Sequence, residues 1–190
     1  MTRFVVYPYS MSSMSGRDLA KKFREEGFDS FRVYPDRAYR PIEGDIIINW
    51  GNSHSPDWYD EDMGNNAARI INSPDAVALS INKLASFRRL MLRGVSIPLA
   101  TTDKEIAKEW ARDEVSPIVV CRTLVSAHAG RGIVIAANPD EVVDAPLYTK
   151  HVRHKREFRV HVLNGNVIDF TEKKKSTDGR QVTNEFIRNH

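Results

Sequence analysis

Apolar positions follow two rhythms along this chain. Up to about residue 113, short apolar runs alternate with segments of helical period; from Ser116 onward strand-length runs dominate. "RFVVYPY" (3–9) has the length and apolar density of a buried strand. "GRDLAKKFREEG" (16–27) brings Leu19, Ala20 and Phe23 to one helical face, with Gly27 placed to stop the helix. "FDSFRVYP" (28–35) predicts a second strand. "GDIIINWGNS" (44–53) predicts a third, centred on Ile46–Ile48. "DWYDEDMGNN" (57–66) is polar and predicts a loop. Residues 73–94 predict one long helix: Ser73 as N-cap, Pro74 at the first helical position, Val77, Ile81, Leu84, Phe87, Leu90 and Met91 at helical spacing, and Gly94 at the end. An extended link, "VSIPLATT", leads to a second helix over 103–113. Strands follow at 117–125, 132–136, 146–152, 157–163 and 167–174.

Strand, helix, strand, strand within the first 50 or so residues predicts a small α/β layer with a parallel sheet. Trp50, Gly51, Asn52 and Ser53 would then stand at the carboxyl end of a strand, where open α/β sheets bind ligands. The later half reads as α+β. Its last strand pair carries Asn164-Gly165, a hairpin turn signal. Alternation across that turn puts Glu157, Arg159 and His161 on one face with Glu172 and Lys174. Phe158, Val160 and Val162 go to the other. One face is expected to be core and the other a charged floor.

Composition narrows the classes. The protein has 190 residues and a single cysteine, Cys121, which excludes an intramolecular disulfide framework and a Cys-rich metal site. Cys121 itself reads as a small core residue. No apolar run approaches the ~18 residues of a membrane span, and the opening segment "MTRFVVYPYSMSS" lacks a signal-peptide pattern. A cytoplasmic protein with no membrane partner is the simplest expectation. A net charge of +3, concentrated in "KHVRHKREFR" (150–159) and "EKKKSTDGR" (172–180), leaves ATP, phosphorylated substrates and nucleic acid open as partners. His151, His154 and His161 lack a shared-face metal spacing. No G-x-S-x-G elbow or G-x-x-x-x-G-K-[ST] phosphate loop occurs.

The stretch richest in candidate chemistry is "VVCRTLVSAHAGRGIVIA" (119–136). Arg122 closes an apolar strand, and a polar loop with Gly130 and Gly132 precedes the next one. Those glycines permit positive φ and close approach of backbone amides to an anion. Ser126, His128 and Arg131 add donors. In order, the sequence offers Asn82-Lys83 on a helix, "GVSIP", a strand ending in a cation, the Gly loop, "PLYTKHV", "EFRVHVLNGNVIDF" and a basic run. In that order, from about Asn72 to Asn189, the sequence resembles the ATP-grasp superfamily. It looks most like the ATP-grasp proteins of tailed phages and is more loosely similar to ligases that add glutamate to a ribosomal protein and to D-alanine–D-alanine ligases.

The resemblance implies a pre-ATP-grasp parallel α/β domain (1–72) followed by an ATP-grasp nucleotide-binding region (73–190). It also implies ATP-driven joining of a carboxylate to an amine through an acyl phosphate. Carried over position by position, it puts the helix lysine at Lys83. The phosphate-reaching cation falls at Arg122, where the family usually has Lys. The Gly-rich lid covers Ser126, His128, Gly130, Arg131 and Gly132, and the adenine-reading strand covers Tyr148, Thr149, Lys150 and His151. The ribose-holding acid falls at Glu157, and the catalytic cations at Arg159, Lys174 and Arg188, with Lys173, Arg180 and Asn189 as further matches.

The family's Mg²⁺ ligands have no counterpart before the sequence stops at "FIRNH". They are expected beyond residue 190, so the sequence is expected to be a fragment of a longer ligase, poorly active alone, with a natural truncation that binds nucleotide weakly or not at all as the alternative. In a phage protein, the compartment would be the host cytoplasm. The rival expectation is a nucleic-acid-binding module on the basic hairpin 150–175, with Phe158, Phe170 and Tyr148 as stacking surfaces.

Overall fold

The computed structural model describes residues 2–34, 39–62, 68–127, 130–154 and 156–173. The protein divides into two compact units between Ile81 and Asn82.

The first unit is built on a parallel sheet. β1 (Arg3–Pro8) leads through α1 (Met14–Glu25) to β2 (Asp29–Arg32); β3 (Asp45–Trp50), α2 (Asp57–Asp62) and β4 (Arg69–Ile71) follow. The strand order is β2-β1-β3-β4, and every neighbouring pair is parallel. The apolar runs of β1 and β3 are buried on both faces, as a covered parallel sheet requires. Val5, Tyr7, Val33, Ile47 and Trp58 form its core. Ser13 caps α1 by accepting from the Gly16 amide, so the helix starts two residues before the predicted Gly16. Segment 57–66, expected as loop, is helical over Asp57–Asp62.

A buried ionic node ties β1 to β3 at their first residues. Asp45 receives two bonds from Arg3, at 2.7 and 2.8 Å, one from the Tyr39 hydroxyl at 2.7 Å and one from the Ile42 amide at 3.1 Å. Burial alone would push the Asp45 carboxyl upward. The bonds from Arg3, Tyr39 and Ile42 outweigh that and hold it below the usual carboxylate range.

At the sequence midpoint, the single predicted helix is two. α3 spans Pro74–Ile81 and α4 spans Lys83–Leu92. Asn82 interrupts them because its backbone is extended (φ −81°, ψ 104°) and its side chain accepts from the Ala85 amide, making it the N-cap of α4.

The second unit holds an antiparallel sheet in the order β5-β8-β6-β7, formed by β5 (Ala100–Thr101), β6 (Val119–Arg122), β7 (Ile133–Ala136) and β8 (Leu147–Lys150). α5 (Lys104–Ala111), capped by Asp103, covers one face. The core there comprises Ala107, Ala111, Val119, Cys121, Ala136, Val142 and Tyr148, so Cys121 is a core residue as expected.

β9 (Glu157–Leu163) and β10 (Asn166–Lys173) pair as a separate two-stranded sheet. Asn164 and Gly165 both take positive φ, 49° and 79°, the backbone of a tight two-residue hairpin turn.

Candidate functional site

Arg122 is the last residue of β6, an interior strand. Its Cα partners are Leu147 on β8 and Ile133 on β7. Strand alternation separates the two sheet faces. Val119, Cys121, Ala136 and Tyr148 turn toward α5, so Arg122, Val120, Leu147 and Thr149 lie on the opposite face. Arg122 is half-buried, and its Nε is buried with no hydrogen-bond partner among the described residues. Burial pushes the guanidinium below its ordinary value. A desolvated cation with an unanswered donor is a site at which an anion restores what water lost.

The loop after Arg122 is pinned at its base. The amide of Thr123 donates to the Gly132 carbonyl at 2.8 Å, and the Thr123 hydroxyl donates to the same oxygen at 3.1 Å. Gly130 and Gly132 have φ of 75° and 70°. At Gly132 the need for glycine is also steric: a Cβ there would stand 2.7 Å from Leu124 Cβ. Val125 is held from another direction, because its carbonyl accepts from the Lys83 amide at 2.7 Å. The structure thus joins Lys83, at the start of α4, to the Gly loop. Ser126 and Arg131 are exposed on that loop. His128 lies outside the described residues.

The strand expected to read adenine is β8 with its continuation. Thr149 lies on Arg122's face, 3% exposed. Tyr148 and Lys150 lie on the other face and are engaged there. The Tyr148 hydroxyl donates to the Val143 carbonyl and accepts from the Ala145 amide, while Lys150 pairs with Asp113 at 2.5 Å. Tyr148 is 2% exposed, which overturns its expected role as a stacking surface. The amides of Lys150 and His151 donate to the carbonyls of Leu99 and Ile118, so neither is available to a base while those bonds stand. His151 is half-buried. Desolvation first, and then His154 and Arg153, pull its imidazole below the ordinary value.

The hairpin corrects the sequence reading in two respects. A register shift between Val167 and Asp169 inserts one residue, so Lys173 stands opposite Glu157, Thr171 opposite Arg159, and Asp169 opposite His161. Glu172 falls opposite Phe158, on the apolar face rather than with Glu157. There it takes a bidentate bond from Arg156, whose guanidinium lies 4.8 Å from the Phe158 ring centroid. A one-residue slip exchanges faces, and the alternation count across the turn contained no bulge. Nor is the apolar face a core: Val160 is 51% and Phe170 66% exposed. Glu157 and Arg159 share one face and are exposed. Lys174, Arg180, Arg188 and Asn189 lie outside the described residues.

Among the described residues, no group of three or more His, Cys, Asp or Glu side chains could hold a metal ion, and no helix is long and apolar enough to cross a membrane. Sequence reasoning missed Thr123, whose signal was a hydroxyl residue directly after the strand-end cation. It also missed the Arg3–Asp45 node, signalled by a charge at the start of each apolar run.

No family model matches the protein. Beta-citrylglutamate synthase B of Homo sapiens is 32% identical over 140 residues, which cover 65% of this chain and 35% of that protein. The match therefore spans about a third of the length of that curated relative. Among solved structures, ATP-grasp ligase PsnB complexed with minimal precursor matches with a TM-score of 0.64 at 15% identity, covering 95% of this chain and 74% of that one. PsnB solved with precursor, Mg and ADP matches at 0.58. N5-carboxyaminoimidazole synthetase from Staphylococcus aureus, complexed with ADP, matches with a TM-score of 0.62 at 13% identity, covering 92% of this chain and 55% of that one. The protein has the ATP-grasp fold.

Proposed function

We propose that this protein binds ATP on the face of the second sheet that carries Arg122. The nucleotide would drive the joining of a carboxylate to an amine or similar nucleophile, as in the carboxylate–amine ligase-like ATP-grasp proteins. The observation that carries this is the buried Nε of Arg122, a desolvated donor without a partner among the described residues, at the mouth of a loop with two positive-φ glycines. A polyphosphate supplies the charge that Arg122 lacks, and the guanidinium fork suits its oxygens. Neighbours of the same fold solved with ADP support a nucleotide as the source of that charge.

Arg122, with Ser126, Gly130, Arg131 and Gly132 on the loop, faces the phosphates, and Lys83 supports them from the start of α4. Thr149 lines the base pocket; with the Lys150 and His151 amides bonded to Leu99 and Ile118, Tyr148, Lys150 and His151 shape that pocket by holding β8 in place. Glu157 and Arg159 act from one hairpin face, on the ribose and on the transferring phosphoryl group.

Bound ATP supplies a γ-phosphoryl group that a carboxylate oxygen attacks, with the β–γ bridging bond breaking and ADP leaving. The amine then attacks the acyl carbon, phosphate departs, and the amine gives up a proton. The protein's part in both steps is placement and charge neutralisation. The described residues offer no carboxylate cluster for Mg²⁺, so no step is assigned to protein-held metal.

One observation favours a second reading: Phe158 and Phe170 are exposed, with ring centroids 6.3 Å apart. Against single-strand binding there, Arg159 and Lys173 stand at positions of the opposite face. Thermal-shift titrations with Mg-ATP and with single-stranded DNA separate the two. The ATP reading expects a saturable rise in Tm with ATP that Arg122→Ala and Glu157→Ala reduce. A DNA shift that falls steeply with salt, with no ATP shift, would favour the hairpin.

A further inference from the structure

We propose that Thr123 is a positioning residue for the phosphate-facing loop, acting through the carbonyl of Gly132. This rests on the nucleotide reading of Arg122 and goes beyond it by naming what aims the loop.

The ladder between β6 and β7 ends at the Arg122–Ile133 pair. Directly beyond it, Thr123 and Gly132 make a joint that is more than one further rung. Both lone pairs of the Gly132 oxygen are answered by a single residue, the Thr123 amide at 2.8 Å and the Thr123 hydroxyl at 3.1 Å. Leu124 then packs where a Gly132 side chain would begin. Two consecutive residues after the strand-end cation therefore hold one glycine by polar and by steric means. A single backbone bond lets the peptide plane of Gly132 rock about the N–H···O axis. A second donor on the same oxygen removes that freedom. The Gly132 carbonyl shares its peptide plane with the Ile133 amide, which donates to the Gly130 carbonyl at 3.3 Å, so the Thr123 hydroxyl fixes the Gly130–Ile133 turn where the loop returns beside Arg122. Val125, held by the Lys83 amide, fixes the same segment from the α4 side.

Thr123→Val tests this in the intact protein. It keeps the β-branched shape and the amide and deletes only the hydroxyl; Thr123→Ser restores the hydroxyl. Two readouts apply: the rate of tryptic cleavage after exposed Arg131, located by mass spectrometry, and the Kd for Mg-ATP. Cleavage of a loop that opens quickly follows the population of its open form. Thr123→Val is expected to cleave about fivefold faster and bind Mg-ATP about fivefold more weakly, the factor that one intramolecular hydrogen bond is worth. Its Tm should stay near wild type, and Thr123→Ser should return both readouts toward wild-type values. Wild-type behaviour of Thr123→Val in both readouts overturns the proposal, as does a Thr123→Ser variant that behaves like Thr123→Val. If the wild type binds no ATP, the nucleotide reading falls, and the cleavage rates still decide whether Thr123 fixes the loop. If the wild type binds and Thr123→Val binds equally well, the positioning role falls while the nucleotide reading stands.

Discussion

The backbone amide of Lys83 donates a 2.7 Å hydrogen bond to the carbonyl of Val125. The first amides of a helix have no partner within it, and at α4 one of them is used to hold the base of the Gly loop. That bond exists because Asn82 breaks the helical path at residue 82 and caps the new helix through Ala85. Asn82→Ala should cost about 1 kcal/mol in a urea melt and speed hydrogen exchange at the Lys83 amide. Unchanged exchange at Lys83 would show that the cap does not support the bond to Val125.

Gly132 predicts a coupled pair of effects. Gly132→Ala introduces a Cβ 2.7 Å from Leu124 Cβ and a side chain at a φ of 70°. The expected loss is about 2 kcal/mol, part overpacking and part left-handed backbone. Leu124 is 51% exposed, so Leu124→Ala alone should cost little. Added to Gly132→Ala, it removes the Leu124 atoms beyond Cβ but keeps the Cβ at 2.7 Å, so it should recover only part of the steric loss and none of the roughly 1 kcal/mol of backbone strain. Strict additivity in a double-mutant cycle would deny the contact.

Much of this was legible in the residues. The apolar runs at 3–9 and 44–53 marked β1 and β3, and Asn164-Gly165 marked the last turn, because burial and positive φ leave strong local signals. The break at Asn82 was hidden: Val77, Ile81, Leu84 and Phe87 continue one helical rhythm across it. The bulge near Ile168 left no composition signal, yet it moved Glu172 to the other face. β4 is three residues long and is defined by pairing with β3, a long-range fact. At the site, Arg122 and its glycines could be placed from sequence. That Lys150 is tied to Asp113 and Tyr148 is buried could not, because both depend on which face of β8 meets α5.

The Arg3–Asp45 node gives a pH and a mutational expectation. The carboxyl of Asp45 is held below its unfolded value near 3.8, so its stabilisation is present above that pH. It is lost as pH falls through the lower folded value. Asp45→Asn removes the charge facing Arg3 and should cost on the order of 3 kcal/mol, read as a lower urea midpoint, with flatter acid dependence. An acid limb as steep as wild type would place the acid sensitivity elsewhere.

His151 gives the same sign in a higher pH window. Its imidazole titrates below the ordinary 6.5 in the folded protein, through desolvation and then His154 and Arg153. The unfolded protein therefore takes up the proton first as pH falls. The stability due to neutral His151 is complete above about pH 6.5 and declines below it toward the folded pKa. Tm measured from about pH 7.5 to about pH 5.5 should fall less in His151→Gln than in wild type. Equal slopes would remove His151 as a source of that dependence.

The central claim is that Arg122 awaits a nucleotide's phosphates, and isothermal titration of Mg-ATP into wild type and Arg122→Met tests it most directly. Methionine keeps the apolar length and removes the fork. Saturable binding by wild type, weakened about 10- to 100-fold in Arg122→Met as expected for lost bonds to a charged group, is the predicted result. Equal binding by the two proteins, or no binding of Mg-ATP by wild type, would contradict it.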